Sequence, residues 1–211
     1  MKVNFQVELE KIIKKEDKLG RVPKLLLHSC CAPCSTYVLE YLSNYFEIGV
    51  LYYNPNIYPV SEYDYREEEQ KRLIESMQTK NPVHFIKANF DPMIYYKAIK
   101  GHEKDQEGGD RCLICYELRL REAAGEAKKM AYDYFTTTLT ISPHKNSQAL
   151  NSIGKRLEEE YGVDYLYSDF KKKEGFKRSI ELSKEFDMYR QDYCGCVFSY
   201  NETKNRNKNA E

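Results

Sequence analysis

The sequence lacks any continuous apolar run that approaches the roughly 18 residues needed by a membrane-spanning helix. Its first residues, MKVNFQVELEKIIKKEDK, are charged throughout and lack the apolar core of a secretory signal. We therefore expect a cytoplasmic protein without membrane association. The formal net charge is +0, so a polyanionic partner would have to bind a local basic patch, because the overall field does not attract it.

Tryptophan is also absent, although 19 tyrosines and nine phenylalanines bring the aromatic fraction to 13%. A chain of 211 residues with 41% hydrophobic residues is long enough to build one compact core. No internal repeat or second domain is visible, so residues 1–200 are predicted to form a single α/β domain. Residues 201–211, NETKNRNKNAE, lack large apolar side chains and are predicted to be a disordered polar tail.

Apolar runs that alternate with amphipathic segments predict the order of the elements along the chain. Strands are predicted at 24–29, 46–53, 83–88, within 132–142, and at 163–168. Helices are predicted at 5–18, 33–45, 60–79, 91–100, 112–131, 146–161 and 176–187. Strands that alternate with helices are typical of βαβ units, in which a mainly parallel sheet is covered by helices on both faces.

The seven cysteines fall into short groups instead of being scattered along the chain. The groups are Cys30, Cys31 and Cys34; Cys112 and Cys115; and Cys194 and Cys196. An odd number of cysteines in a cytoplasmic protein argues against structural disulfides. The first group directly follows the first predicted strand, and open α/β sheets bind ligands beyond the carboxyl ends of their strands. We therefore expect these thiols at the functional edge of the sheet.

Two of the cysteine pairs have CxxC spacing, namely Cys31 with Cys34 and Cys112 with Cys115. Such pairs can ligate structural zinc, hold an iron–sulfur cluster or work as a redox dithiol. Structural zinc sites are normally short loops outside a large core, and seven cysteines exceed the needs of one tetrahedral site, so redox chemistry is favoured. The tighter pair in Cys194-Gly-Cys196 can form a strained, readily reduced disulfide or supply two further metal ligands.

A basic segment, DFKKKEGFKRS (169–179), concentrates positive charge in a chain whose total charge is balanced. Its cations are Lys171, Lys172, Lys173, Lys177 and Arg178. Cations beside aromatic rings suit RNA, because phosphates contact the cations and unpaired bases stack on the rings. A solvated basic loop is the plainer interpretation. The loop YNPNIYP (53–59) offers further rings, although buried tyrosines are the default.

Several other polar residues are candidates for the site because of their positions. The phrase SPHKN follows a predicted strand and brings His144 and Lys145 to the same edge of the sheet. Asp110, beside the second cysteine group, could serve as an acid, and Arg111 could serve as an anchor. His28 ends an apolar run, where a histidine with satisfied hydrogen bonds is the simpler interpretation.

The sequence contains HSCCAPCS, YYNPNIYP with SEYDYR, GGDRCLICYELRL, TTTLTISPHKN, DFKKKEG and MYRQDYCGC, in that order. Together these phrases extend over about residues 24–200 and resemble the cobalamin-independent epoxyqueuosine reductases of the QueH type. The resemblance implies a Rossmann-like sheet of the adenine-nucleotide α-hydrolase-like type. It also implies that the epoxide on the cyclopentane ring of epoxyqueuosine, at the wobble base of tRNA, is reduced to the alkene.

The same resemblance implies a cofactor and roles for the cysteines. It implies a 4Fe–4S cluster, whose ligands are by position Cys30, Cys31, Cys112 and Cys115. Cys194 and Cys196 would then be a redox pair, and Cys34 the candidate ligand of an additional iron ion. The basic segment would hold the anticodon loop, and an unidentified electron donor is required. No segment of the chain resembles a cobalamin-binding motif.

Other functions remain open on the sequence alone. A related tRNA-thiolating enzyme would need an ATP-phosphate loop of the SGGxDS kind after the first strand, where this chain has HSCCAPCS. A zinc-stabilised RNA-binding protein would contain one colourless metal ion and would not need Cys194 and Cys196. A thiol–disulfide oxidoreductase would not need the basic segment. Colour and metal content separate these functions.

Overall fold

The structure is a computed structural model that describes residues 3–208 of the 211-residue chain. Its strands are β1 (Lys24–His28), β2 (Glu47–Tyr52), β3 (Val83–Lys87), β4 (Tyr134–Thr137) and β5 (Asp164–Tyr165). Its helices are α1 (Phe5–Lys18), α2 (Ala32–Leu42), α3 (Val60–Ser76), α4 (Pro92–Ala98), α5 (Asp110–Lys129), α6 (Ser147–Tyr161), α7 (Gly175–Glu185) and α8 (Val197–Lys208). A 3₁₀ turn at Thr138–Ile141 directly follows β4.

The strands form one parallel sheet in the order β3-β2-β1-β4-β5. β1 lies at its centre, where Leu26 pairs with Gly49 of β2 on one side and with Phe135 of β4 on the other. The leucines of β1, Leu25–Leu27, are fully buried, as expected for a parallel strand that is covered on both faces. The prediction of an α/β fold with a Rossmann-like parallel sheet is confirmed.

Apolar side chains from the helices cover both faces of this sheet. Successive residues of a strand point to opposite faces, and Leu25 and Leu27 accordingly pack in one cluster with Leu9 of α1. Leu26 packs in the other cluster, with Leu120 of α5. Burial of such a side chain stabilises the fold by about 1.5–3 kcal/mol. The leucines of β1 therefore stabilise the packing of helices on both faces of the sheet. Within the described residues, no helix is long and apolar enough to span a membrane.

The helices begin and end close to their predicted boundaries. α1 has the predicted bounds, and Asn4 caps it by accepting a hydrogen bond from the Gln6 amide. α5 begins two residues before the predicted position because Gly109, in extended backbone, precedes a first turn that contains Asp110. A carboxylate in the first turn is favourable near the positive end of the helix dipole.

Two segments differ from the prediction. The last strand was predicted at 163–168, whereas β5 contains only Asp164 and Tyr165. The Leu166 amide still donates to the Phe135 carbonyl at 2.9 Å, so the chain follows β4 slightly beyond the strand. Residues 201–208 continue helix α8, although the sequence predicted a disordered tail there. Residues 209–211 of that predicted tail lie outside the described residues.

Candidate thiol site at the sheet edge

The first cysteine group lies where the chain turns from the central strand into α2. β1 ends at His28, and α2 begins at Ala32 with Pro33 in its first turn. Within the sheet, β1 lies between β2, the next strand along the chain, and β4, from which the chain continues to the other edge of the sheet. Ligands of open parallel sheets bind at such a switch point, beyond the carboxyl ends of the strands. The predicted position of these thiols is therefore confirmed.

The thiols of this group converge on one point. The sulfurs of Cys30, Cys31 and Cys34 all lie within 4.8 Å of one another, and those of Cys30 and Cys31 are 3.7 Å apart. Sulfurs that bind one tetrahedral ion through bonds of about 2.3 Å are themselves about 3.8 Å apart. The group can therefore hold a metal ion.

Hydrogen bonds around this group favour a negatively charged sulfur. The Gln191 side-chain amide donates to the Cys31 sulfur at 3.0 Å, and the Thr138 hydroxyl donates to the Cys30 sulfur at 3.6 Å. Hydrogen bonds from the thiols of Cys31 and Cys34 hold the pKa of Cys30 well below its usual value. The contact with Cys30 raises the pKa of Cys31 to about 12. A negative charge on this group would therefore be centred on Cys30.

The remaining cysteines form a second group beside the first. Cys112 and Cys115 lie one turn apart on α5, and the amide of Gly108 donates to the Cys112 sulfur at 3.2 Å. Cys115 and Cys196 pack in the same apolar cluster. The predicted ligand set of Cys30, Cys31, Cys112 and Cys115 is thus drawn from both groups, and all seven cysteines are free thiols.

Lys145 contacts this second group as the position of SPHKN suggested. Its ammonium donates to the Cys194 sulfur at 3.1 Å and lies 5.9 Å from the centre of the Tyr116 ring. Burial lowers the pKa of Lys145, but the Cys194 thiol and Tyr116 raise it further, so the net direction is upward. A fixed cation therefore lies against the Cys194 sulfur.

Gly195, between the last two cysteines, requires a glycine. Its φ of +121° lies in a region that side-chain-bearing residues rarely adopt. An added Cβ would also lie 3.1 Å from Nη1 of Arg66 and 3.3 Å from Cγ1 of Ile57. The CGC spacing thus lets the backbone turn sharply against Arg66 and directs two thiols to the site from one short segment.

The most deeply buried charge of the site belongs to Arg119, which was not predicted as a site residue from the sequence. Its side chain is 1% exposed, and its Nε donates to the Cys115 carbonyl at 3.2 Å. Its Nη2 has no hydrogen-bond partner, and no carboxylate within residues 3–208 forms an ion pair with it. Burial would lower the pKa of Arg119, but the charges of Cys115, Cys194 and Cys30 raise it above its ordinary value. Arg119 therefore faces both cysteine groups.

A buried guanidinium without an anionic partner is costly, because desolvation of a charge requires compensation. Arg66 provides a second buried cation near Cys31. Its Nε donates to Glu62 at 2.7 Å, but its Nη2 also has no hydrogen-bond partner. Both arginines suit an anionic metal–thiolate centre between them. Helical spacing could have suggested Arg119, which lies four residues after Cys115, but nothing local links Arg66 to the thiols.

The predicted RNA-binding cations are mostly engaged in ion pairs. Lys173 pairs with Glu10, Lys177 with Glu174 at 3.2 Å, and Arg178 with Glu40 at 2.6 Å. Lys171 pairs with Asp169 at 2.8 Å. A cavity of about 380 Å³ lies on this side of the site, and its lining includes Lys145, Lys171 and Lys172. These three lysines line one cavity, called the basic cavity, together with Asp169, and Lys145 connects it to Cys194.

The other polar candidates occupy different environments. His28 is fully buried, with Nδ1 2.9 Å from the Thr137 hydroxyl and Nε2 3.0 Å from the Tyr53 carbonyl. Burial lowers the pKa of His28 to about 4, so the interpretation of a neutral, hydrogen-bonded histidine is confirmed. His144 is exposed in its loop, and Asp110 is exposed at the start of α5.

Thiol groups at the switch point of a Rossmann-like sheet define a class of metal-binding or redox α/β proteins, and comparison with known proteins identifies the family. The family model described as epoxyqueuosine reductase QueH matches residues 25–202. The chain is 42% identical to epoxyqueuosine reductase QueH of Streptococcus pyogenes serotype M1 over 200 residues, which cover 94% of this chain and 78% of the relative.

Two further relatives agree with this match. The QueH protein of Staphylococcus epidermidis is 44% identical over 94% of this chain and 85% of its own length. That of Thermotoga maritima is 37% identical over 89% of this chain and 94% of its own length. The chain belongs to the epoxyqueuosine reductase QueH family, which makes it an oxidoreductase, and the resemblance noted in the sequence is confirmed.

Proposed function

We propose that this protein converts epoxyqueuosine to queuosine at the wobble base of tRNA. The observation that carries the proposal is the convergence of free thiols at the sheet edge in a chain that matches the QueH family over residues 25–202. Removal of the epoxide oxygen as water consumes two electrons and two protons and leaves an alkene. A site rich in thiols, with buried cations beside it, suits such a reduction.

We propose a 4Fe–4S cluster as the resident cofactor, with Cys30, Cys31, Cys112 and Cys115 as its ligands. Cys34, within 4.8 Å of the first two sulfurs, is the proposed ligand of an additional iron ion. When bound, these groups supply single electrons and a Lewis acid for the epoxide oxygen. The unpartnered guanidinium of Arg119 supports an anionic centre here. No role for cobalamin is proposed.

We propose that Cys194 and Cys196 act as the redox pair. Oxidation of two thiols to a disulfide releases two electrons and two protons, which balances the reduction of the epoxide. Lys145 would hold the Cys194 side chain in position through the contact of 3.1 Å. Asp110, exposed at the start of α5 next to Cys112, is the proposed acid that protonates the departing oxygen.

For the tRNA we propose that phosphates of the anticodon loop enter the basic cavity lined by Lys145, Lys171 and Lys172. The exposed His144 would contact the loop at the rim of this cavity, and Lys173, Lys177 and Arg178 would add to the field around it. With tRNA as the substrate, the reaction would take place in the cytoplasm. The electron donor that regenerates the thiols is a separate partner.

A second candidate function is a zinc-stabilised RNA-binding protein. The spacing of 3.7 Å between the sulfurs of Cys30 and Cys31 would equally suit one tetrahedral zinc ion. That function gives no reason for the part-buried contact between Lys145 and Cys194, or for thiols in a second group. The reductase is therefore the better account of the whole site.

The activity is tested with anaerobically purified protein, tRNA that carries epoxyqueuosine, and dithionite as the reductant. Mass spectrometry of the tRNA nucleosides should detect queuosine. Cys194→Ser should abolish turnover but keep the iron content if Cys194 is a redox thiol, whereas loss of iron would make it a ligand. Iron-loaded protein that leaves epoxyqueuosine unchanged would refute the proposed reaction.

A further inference from the structure

We propose that exposed and half-buried tyrosines beside Cys194 and Cys196 form a stacking surface for unpaired bases of the anticodon loop. This inference rests on the proposed function, since it names the surface by which that site receives its RNA. The surface, called the tyrosine rim, comprises Tyr58, Tyr65, Tyr96, Tyr189, Tyr193 and Tyr200.

The rings of the rim support one another across distant parts of the chain. Tyr200 of α8 packs edge-on against Tyr58 and Tyr193, with ring centres 5.7 and 5.3 Å away. Tyr65 of α3 packs edge-on against Tyr189 at 4.9 Å. The Tyr193 hydroxyl donates to the Tyr58 carbonyl at 2.7 Å. These contacts hold the rings in place, so little side-chain entropy remains to be lost when a ligand stacks on them.

The rim directly borders the second group of thiols. The Tyr58 amide donates to the Gly195 carbonyl at 2.8 Å, which fixes the loop 53–59 to the CGC segment. Tyr193 immediately precedes Cys194. Tyr95 packs in the same apolar cluster as Cys196, and the exposed Tyr96 follows it on α4. A base that stacks on the rim is therefore next to the thiols proposed to do the reduction.

The exposure of these rings is unusual for a protein with a well-formed core. Tyr65 is 50% exposed, Tyr58 41% and Tyr96 36%, and Met93, on α4 with Tyr96, is 54% exposed. Large apolar side chains that are exposed together mark a binding surface more often than singly exposed ones do. The rings of most core tyrosines, such as Tyr52 and Tyr95, are by contrast fully covered.

Charge favours RNA over an apolar partner at this surface. The buried Arg66 guanidinium lies beneath the rim, 5.1 Å from the centre of the Tyr193 ring, and the exposed Lys204 ammonium lies 4.4 Å from that of Tyr200. The acidic Glu62 and Glu69, which contact Tyr189, are ion-paired with Arg66 and Arg72. The rim thus offers rings and cations together, the combination that binds single-stranded nucleic acid.

The sheet order also suits an RNA loop that crosses the site. The rim lies on the side of β2 and α3, whereas the basic cavity lies on the side of β4, next to Lys145. The thiols follow the central strand β1 between them. A single-stranded loop carries phosphates along one side and bases along the other, so it can reach both surfaces across the thiols.

The test compares tRNA binding by the wild type, by Tyr65→Ala with Tyr96→Ala, and by Tyr45→Ala as a matched control. Tyr45 is 37% exposed but precedes β2, at the edge of the sheet opposite the thiols. Removal of each stacking ring should weaken binding at least about fivefold. The salt dependence of binding should stay unchanged, because no phosphate contact is lost. Phenylalanine at both positions should restore binding, and iron content should be the same throughout.

The outcomes separate this inference from the proposed function. Wild-type affinity in the alanine variant would overturn the tyrosine rim while leaving the reductase intact. If the alanine variant bound tRNA with wild-type affinity but reduced epoxyqueuosine slowly in a reducing cell extract and normally with dithionite, the rim would instead bind a protein electron donor. If the wild type itself bound no tRNA, the proposed function would be refuted, and the proposal that the rim binds RNA would be refuted with it.

Discussion

At the scale of single residues, the thiol site is defined as much by its buried cations as by its cysteines. Arg119 has no carboxylate partner in the described part of the chain, and only its Nε is used, in a bond to the Cys115 carbonyl. Folding would not retain such a desolvated charge without an anion close by. The thiols of Cys115, Cys194 and Cys30 face Arg119 and raise its pKa, so an anionic centre bound by these thiols would supply that anion.

Replacement of Arg119 tests this electrostatic role. Arg119→Met should make the proposed iron centre harder to reduce, because a positive charge that stabilises the added electron is lost. We expect the midpoint potential to fall by on the order of 60 mV, a tenfold change for one electron. Redox titration followed by electron paramagnetic resonance measures it. Arg119→Lys keeps the charge and should shift the potential less; equal potentials in all three proteins would show that the charge is immaterial.

At the scale of elements, the attachment of α1 to the sheet depends on Glu16. This carboxylate is 3% exposed and accepts hydrogen bonds from the Tyr134 hydroxyl at 2.7 Å and from Nε of Arg21 at 2.8 Å. Burial raises the pKa of Glu16, but the hydrogen bonds from Tyr134 and Arg21 outweigh burial, so its pKa is lowered. Because its folded pKa lies below the unfolded value, Glu16 stabilises the fold above the unfolded pKa.

Glu16→Gln should therefore destabilise the protein at neutral pH, by about 1–3 kcal/mol, as expected for loss of a buried charged hydrogen-bonding group. The difference from wild type should shrink as the pH falls through the lowered pKa of Glu16, since the wild-type carboxyl is then protonated. Urea unfolding at a series of pH values measures it. Asp17→Asn, on the exposed side of α1, should behave like wild type. A pH-independent difference would contradict the ion-pair account.

The elements themselves were largely predictable from local patterns. The period of apolar residues predicted α1 with both of its bounds, and the rule for parallel sheets predicted that the first cysteines lie at the carboxyl edge of β1. The shortness of β5 was not predictable, because VDYLYS is apolar enough for a longer strand and only its pairing with β4 limits it. Local patterns also gave no sign that 201–208 continue α8.

Contacts between distant residues were the part that the sequence did not reveal. Arg66 and Gln191 are separated by more than half of the chain. Both nevertheless lie beside the Cys31 thiol. The basic segment was predicted to be a solvated loop or a surface for RNA phosphates, whereas Glu10 and Glu40 from other elements neutralise part of it. Ion pairs of this kind depend on how helices pack, and composition alone does not specify them.

At the scale of the whole molecule, a chain with no net charge must bind tRNA through a local surface. Replacement of Lys171, Lys172 and Lys173 by Glu should weaken tRNA binding and flatten its dependence on salt, because phosphate contacts are lost. Filter binding at several salt concentrations measures both. Lys128→Glu, exposed near the end of α5, is the control and should change neither. Unchanged affinity in the triple variant would move the phosphate surface elsewhere.

The central claim is that thiols from both cysteine groups hold a redox iron centre. The most direct measurement is the visible spectrum of anaerobically purified protein, with its iron, sulfide and zinc content, before and after dithionite. We predict broad visible absorption that bleaches on reduction and about four or more irons per chain, with loss of the cluster in Cys112→Ala and Cys115→Ala. A colourless protein with about one zinc ion, or a full cluster in both variants, would contradict the account.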